Sequence, residues 1–148
     1  MIKSIPQNQD YGVDENGATY SIRYGKKLKG SVNNNGYLQL KTCNNAKTKA
    51  YLVHRLVWNA FVGEIPGGFE LDHIDRDITN NALSNLRLVT HQQNCFNLSV
   101  KGYCWNKIAK KWQAYIKIHG KNKHLGYFEK ETDARAAYLV AKEIYHVI

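Results

Sequence analysis

A chain of 148 residues carrying 21 basic and 12 acidic side chains, net charge +9, has room for one domain or two small ones. It contains no run of eighteen apolar residues, and its first ten, MIKSIPQNQD, lack a signal-peptide core, so a cytoplasmic protein with no membrane partner is expected. Its three cysteines (Cys43, Cys95, Cys104) are odd in number and form no Cys-x-x-Cys pair, which suits a reducing compartment and argues against zinc clamps; each is expected to be a small packed residue.

Taken in order, residues 1–10 show no periodicity and are expected to be loose. Asn16-Gly17 is a hairpin turn between Tyr11-Gly12-Val13 and the alternating stretch 18–23. Lys26 to Lys29 reads as a basic turn or short strand. Asn33-Asn34-Asn35-Gly36 is a second turn, residues 37–41 alternate as a strand, residues 43–49 read as a polar loop, and residues 50–53 run extended. The N-terminal third is thus a small antiparallel sheet with basic turns. Val53, Leu56, Val57, Ala60 and Phe61 then recur at helical spacing. His54, at the start of that helix, either serves a site as an accessory or caps and packs there. Arg55 offers a planar fork for a phosphate. It lies in a block, residues 16–63, with eight basic residues and no acid.

The chemistry concentrates in residues 71–94. An apolar approach, Phe69 and Leu71, delivers Asp72-His73 to a strand end, and a turn-prone loop follows (Asp75, Arg76, Asp77, Thr79, Asn80, Asn81). Leu86, Leu88 and Val89 return as a strand, and Thr90 with Gln93 has the form of a capping box, placing Asn94 in a helix's first turns. Hydrolysing a phosphodiester needs a cation to neutralise charge and a base to activate water. Asp72 and the Asn94 amide are hard oxygen donors suited to Mg²⁺ or Mn²⁺, and His73 takes a proton near neutral pH. As strand neighbours, Asp72 and His73 point to opposite faces, one toward a metal and the other toward water.

This stretch resembles the HNH nuclease motif in its phage and intron-encoded homing-endonuclease branch. The resemblance rests on Asp72-His73, on Asn85-Leu86-Arg87 and on Asn94 nine residues after Asn85, with the upstream segment around His54-Arg55-Leu56 extending it to about residues 11–97. It implies His73 as general base, Asp72 and Asn94 as ligands of one divalent ion, and Asn85 as a brace for the loop that orients His73. The last letter is Asn where many relatives have His, and His91 is the alternative ligand. Arg87 joins Arg55 as a candidate DNA contact.

From Gly102 the pattern changes. Trp112, Ala114, Ile116 and Ile118 alternate with Gln113, Tyr115, Lys117 and His119; a turn near Gly120 leads to a strand over residues 124–128. Ala134, Ala137, Tyr138, Ala141, Ile144 and Tyr145 then follow helical spacing, with acids at the start of the helix. Residues 101–123 hold seven lysines and no acid, a second stretch fit for a polyanion. Gly102-Tyr103, Trp105, residues 112–117, Leu125-Gly126-Tyr127-Phe128 and Ala134 through Ala141 resemble the DNA-binding domain of plant ethylene-response factors, the Apetala-two fold. That resemblance implies a sheet laid in the major groove, read here by Lys107, Lys111, Tyr115, Lys117, Asn122 and His124.

The expected fold is α+β: a small N-terminal antiparallel sheet and helix leading into a ββα-metal core (residues 1–97), then a three-stranded antiparallel sheet packed on one C-terminal helix (residues 102–148). The expected function is a metal-dependent endonuclease on double-stranded DNA, acting as monomer or homodimer. The alternative is a non-catalytic, sequence-specific DNA-binding protein retaining the HNH scaffold, against which the intact Asp72, His73, Asn85 and Asn94 set argues. An RNA-directed protein is a third reading, weakened by the lack of a recognisable RNA module.

Overall fold

The computed structural model describes residues 1–44, 46–97 and 100–147, and the chain divides into two compact units, Met1–His91 and Gln92–Ile148. Leu98 and Ser99, between the two expected parts (residues 1–97 and 102–148), lie outside the described residues.

The first unit opens with a four-stranded antiparallel meander, β1 (Ile2–Ile5), β2 (Asn8–Asp14), β3 (Thr19–Ser21) and β4 (Lys26–Leu28). The expectation that residues 1–10 are loose is wrong. β1 pairs with β2 from Ile2 opposite Asp14 to Ser4 opposite Gly12, and Ile5 is fully buried. A bulge between Ser4 and Ile5 breaks the alternation, so no period-2 signal marks the strand. A three-stranded sheet follows: β5 (Ser31–Val32), β6 (Leu38–Asn44) and β7 (Lys47–Leu52). The polar loop expected over residues 43–49 is largely ladder, with Thr42 opposite Lys49 and Asn44 opposite Lys47. The tip of a hairpin this polar has no apolar face to give it away.

Helix α1 (Val53–Phe61) buries Val53, Leu56 and Val57, as its spacing dictates. They join Ile5, Val13, Leu40 and Leu86 in one core, where each fully buried aliphatic side chain contributes roughly 1.5–3 kcal/mol. β8 (Phe69–His73) and β9 (Leu86–Thr90) form a two-stranded antiparallel ribbon, with a 3₁₀ turn (Leu83–Asn85) before β9 and α2 (His91–Asn97) after it.

In the second unit, β10 (Tyr103–Asn106), β11 (Lys111–Ile118) and β12 (Lys121–Phe128) form an antiparallel sheet in that order, covered by α3 (Glu131–Tyr145). Ala114 and Ile116 of the sheet and Ala134, Tyr138 and Ala141 of the helix are buried. A Cβ at Gly102 would fall inside the Tyr138 ring, so only glycine permits that approach. Ile144 and Tyr145, placed on the packed face by spacing alone, are exposed. All three cysteines are exposed as well, against the expectation that they pack; nothing in their local pattern distinguishes the two fates. The α+β architecture expected from the sequence is otherwise the one observed. No helix among the described residues is long and apolar enough to cross a membrane.

Candidate active site

The register of the β8–β9 ribbon builds the site. It sets Asp72 directly opposite Arg87 and His73 opposite Leu86. Arg87 donates from Nε and Nη2 to Asp72 Oδ2, both at 2.9 Å, forming an ion pair whose carboxylate is nearly buried. An opposite-charge pair across a ribbon holds both side chains in register.

His73 is 5% exposed. Its Nε2 lies 3.2 Å from Asn81 Oδ1, and its ring meets the edge of His54 at 5.2 Å between centroids, the planes 80° apart. Tyr37 closes the group, 5.3 Å from His54 and 6.2 Å from His73. Loss of hydration on burial, reinforced by electrostatic repulsion from the neighbouring His73 and Arg55 side chains, holds the His54 imidazole down to about 4. His54 is therefore neutral at physiological pH, and its Nδ1 finds no hydrogen-bond partner among the described residues.

The loop from Ile74 to Ala82 folds on its own polar groups. Asn85 Nδ2 donates to Asp75 Oδ1 (2.8 Å) and to the Asn80 carbonyl (2.9 Å), while Asn85 Oδ1 accepts from the Asp75 N–H (3.1 Å). The Asn85 carbonyl accepts from the Ile74 N–H at 2.9 Å, so one residue ties both ends of the loop. The Asn80 amide, the Asp77 N–H and the Asn85 amide hold the Asp75 carboxyl below the usual carboxylate range, and the Thr79 hydroxyl and N–H do the same for Asp77. Asn81, 3% exposed, donates from Nδ2 to the Thr79 carbonyl at 3.1 Å.

The structure thus gathers Asp72, His73, Asn85 and Arg87 in the first unit. Asn94 lies one turn beyond His91 on α2, on the second unit's side of the division. His91 pairs with Glu70 at 2.9 Å. Arg55 is exposed on α1. In the second unit the register brings Tyr115 opposite His124 and Lys117 opposite Asn122, on the sheet face turned away from Ala114 and Ile116. Tyr115, Asn122 and His124 share a shallow concavity of about 420 Å³ with Cys104 and Gln113. Lys107 is exposed in the β10–β11 turn, and Lys111 pairs with Glu129 at 2.8 Å. Sequence reasoning missed Asn81 and Tyr37 as neighbours of His73. The Asn80-Asn81 pair announced a turn, and nothing in it says which amide faces the imidazole.

A divalent ion would meet suitable chemistry at Asp72. Its carboxylate is a hard oxygen donor with roughly four acceptor sites. No group of three or more His, Cys, Asp or Glu that could hold a metal ion gathers among the described residues.

A buried histidine and aspartate at the end of the first strand of a strand–loop–strand–helix unit, with an asparagine strapping the loop, define an HNH nuclease fold, and the chain belongs to the HNH endonuclease family. The family's profile matches residues 51–95. The chain is 37% identical over 81 residues to Protein 3.8 of Escherichia phage T7, covering 49% of this chain and 67% of that one. It is 37% identical over 92 residues to the DNA endonuclease I-HmuI of Bacillus phage SP01, covering 62% of this chain and 53% of the relative. It spans about half the length of that endonuclease and of a putative HNH homing endonuclease, YosQ, of Bacillus subtilis prophage origin. A solved structure described as DNA binding and cleavage by the HNH homing endonuclease I-HmuI superposes with a TM-score of 0.57 at 30% identity, over 90% of this chain and 80% of the other.

Proposed function

We propose that the protein is a divalent-metal-dependent DNA endonuclease of the HNH homing or nicking type, working in a host-cell cytoplasm. The observation that carries the proposal is the buried His73 beside the Asp72–Arg87 pair, under a loop strapped by Asn85. His73 takes a proton from water, and the resulting hydroxide attacks phosphorus; the 3′ oxygen leaves. Asp72 from β8 and Asn94 from α2 would hold one Mg²⁺ or Mn²⁺, which supplies charge neutralisation at the phosphate and leaving oxygen. Asn94's part rests on the sequence pattern. Asn85 acts by holding the loop, and Arg87 by orienting Asp72. DNA as substrate draws support from the relatives named as DNA endonucleases and from the +9 charge.

The second unit would bind the duplex. The reading is supported by its three-stranded antiparallel sheet packed on one helix, where Tyr115, Lys117, Asn122 and His124 share the exposed face. With Lys107 and Lys111 beside them, they are the proposed contacts.

Incubation with supercoiled plasmid and Mg²⁺ or Mn²⁺, with and without chelator, tests the activity. Nicked circles that a chelator abolishes are expected. Tight plasmid binding with no nicking in either metal would sink the nuclease reading in favour of the non-catalytic DNA-binding protein. One observation favours that rival: Arg87 already neutralises the carboxylate a metal would need.

A further inference from the structure

We infer that Asn81, pinned in place by the β2–β3 turn, fixes which nitrogen of His73 acts as the base. The inference rests on the reading of His73 as general base and adds two positioning elements to it. An amide has one accepting and one donating end. Asn81 spends its donor on the Thr79 carbonyl at 3.1 Å, which turns Oδ1 toward His73 Nε2 at 3.2 Å. An oxygen that only accepts requires the hydrogen on Nε2, so the ring's lone pair lies on Nδ1. Flipping the amide would set two carbonyl oxygens against each other at Thr79.

Asn81 is itself held from behind. The β2–β3 turn presses Gly17 so close that a Cβ there would fall 2.8 Å from Asn81 Cβ and 2.9 Å from its carbonyl carbon and oxygen. The Leu83 N–H donates to the Glu15 carbonyl at 2.7 Å, a second tie between the turn and the site loop. The turn cannot easily yield. Asp14 Oδ1 accepts from the N–H groups of Asn16 (3.0 Å) and Ala18 (2.9 Å), and Asp14 Oδ2 from the Tyr20 hydroxyl (2.8 Å). A methyl at Gly17 therefore displaces Asn81's backbone, with Oδ1 following.

The full chain with supercoiled plasmid and Mn²⁺ provides the assay, and His73→Ala provides the gate. Asn81→Ala should lower kcat by about 100-fold with little change in KM, since a base misplaced by an ångström costs about that much. Asn81→Asp keeps an acceptor for Nε2–H and should recover part of the loss. Its carboxylate favours the imidazolium, so the rising limb of the pH–rate profile should move to higher pH. The ¹⁵N spectrum of the His73 ring, taken without metal or DNA, should show Nε2–H in the wild type and mixed tautomers in Asn81→Ala. Gly17→Ala should lower kcat, whereas Gly25→Ala should not: Gly25 shares the left-handed backbone (φ +60°, against +81° at Gly17), but its Cβ would meet nothing within 4 Å.

An inactive wild type or an active His73→Ala overturns the reading of His73, and this inference falls with it. An active wild type and a dead His73→Ala, beside an Asn81→Ala with wild-type kcat and an unchanged ring spectrum, overturns the inference alone. Gly17→Ala and Gly25→Ala with equal kcat removes the turn from the site. Should Gly17→Ala fail to fold where Gly25→Ala folds, the Asn81 pair still decides whether the amide sets the tautomer.

Discussion

The two units use polar residues in opposite ways. Around His73 the polar side chains are inside: Asp72, His73, Asn81, Asn85 and His54 are all 9% exposed or less, and each of the first four is bonded to a neighbour. On the β11–β12 face, Lys117, Asn122 and His124 stand in solvent. A buried polar network acts as a unit, because removing one partner leaves the other desolvated. An exposed face acts as a sum, because water replaces whatever is removed. Substitutions in the first region should alter rate and stability steeply, and those in the second should alter affinity by small, additive steps.

The largest effect is expected at His73. His73→Ala should cut plasmid nicking by about 10²–10⁴-fold while a gel shift on the same DNA is almost unchanged. A wild-type rate in that variant would remove the base from the buried network altogether. Next is the Asp72–Arg87 pair. Arg87→Met strands a nearly buried carboxylate and should cost about 3 kcal/mol of stability by denaturant titration. If Asp72 is a metal ligand, Mg²⁺ should restore more stability to this variant than it adds to the wild type. Equal metal responses would detach the ion from Asp72.

His54 gives a pH test of similar size. Its pKa falls from 6.5 in the unfolded chain to about 4 in the folded one, a difference worth about 3 kcal/mol. The unfolded state binds the proton more readily, so stability should be full above about pH 6.5 and drain away as pH falls toward 4. His54→Gln should flatten that limb of a thermal-melt pH series. A slope identical to wild type would mean that His54 is hydrated in solution.

Asn85→Ala should slow nicking by roughly 10–100-fold, the range for losing a partner that orients a metal-site residue. The smallest effect belongs to the exposed face. Lys107→Gln with Lys117→Gln should leave nicking at low salt intact and lower the slope of log K against log salt by about 1.8, since each lysine that neutralises a phosphate adds about 0.9 to it. An unchanged slope would shift DNA recognition to the basic turns of the first unit.

Much of this was legible in the chain. Alternation in β11 and the 3.6-residue period of α1 are local consequences of where a side chain points, so Ala114, Ile116, Leu56 and Val57 declared their burial in advance. The spacing of Asp72, His73, Asn85 and Asn94 identified the strand–loop–strand–helix unit for the same reason, since register follows from counting residues. What failed to show was set by partners distant in sequence. β1 is a strand because β2 pairs with it and Ile5 completes a core shared with α1, a fact no window of ten residues contains. Arg87 faces Asp72 across fifteen residues because of ribbon register. The approach of Gly17 to Asn81 joins positions 64 residues apart. Sequence by itself determined the family, the strongly periodic elements such as α1 and β11, and the types of side chain available for chemistry, because each is written in short-range pattern and composition. Tertiary structure alone decided which amide faces His73, which carboxylate is paired and which cysteines are exposed, because hydrogen bonds and burial depend on distance in space and leave no period in the chain.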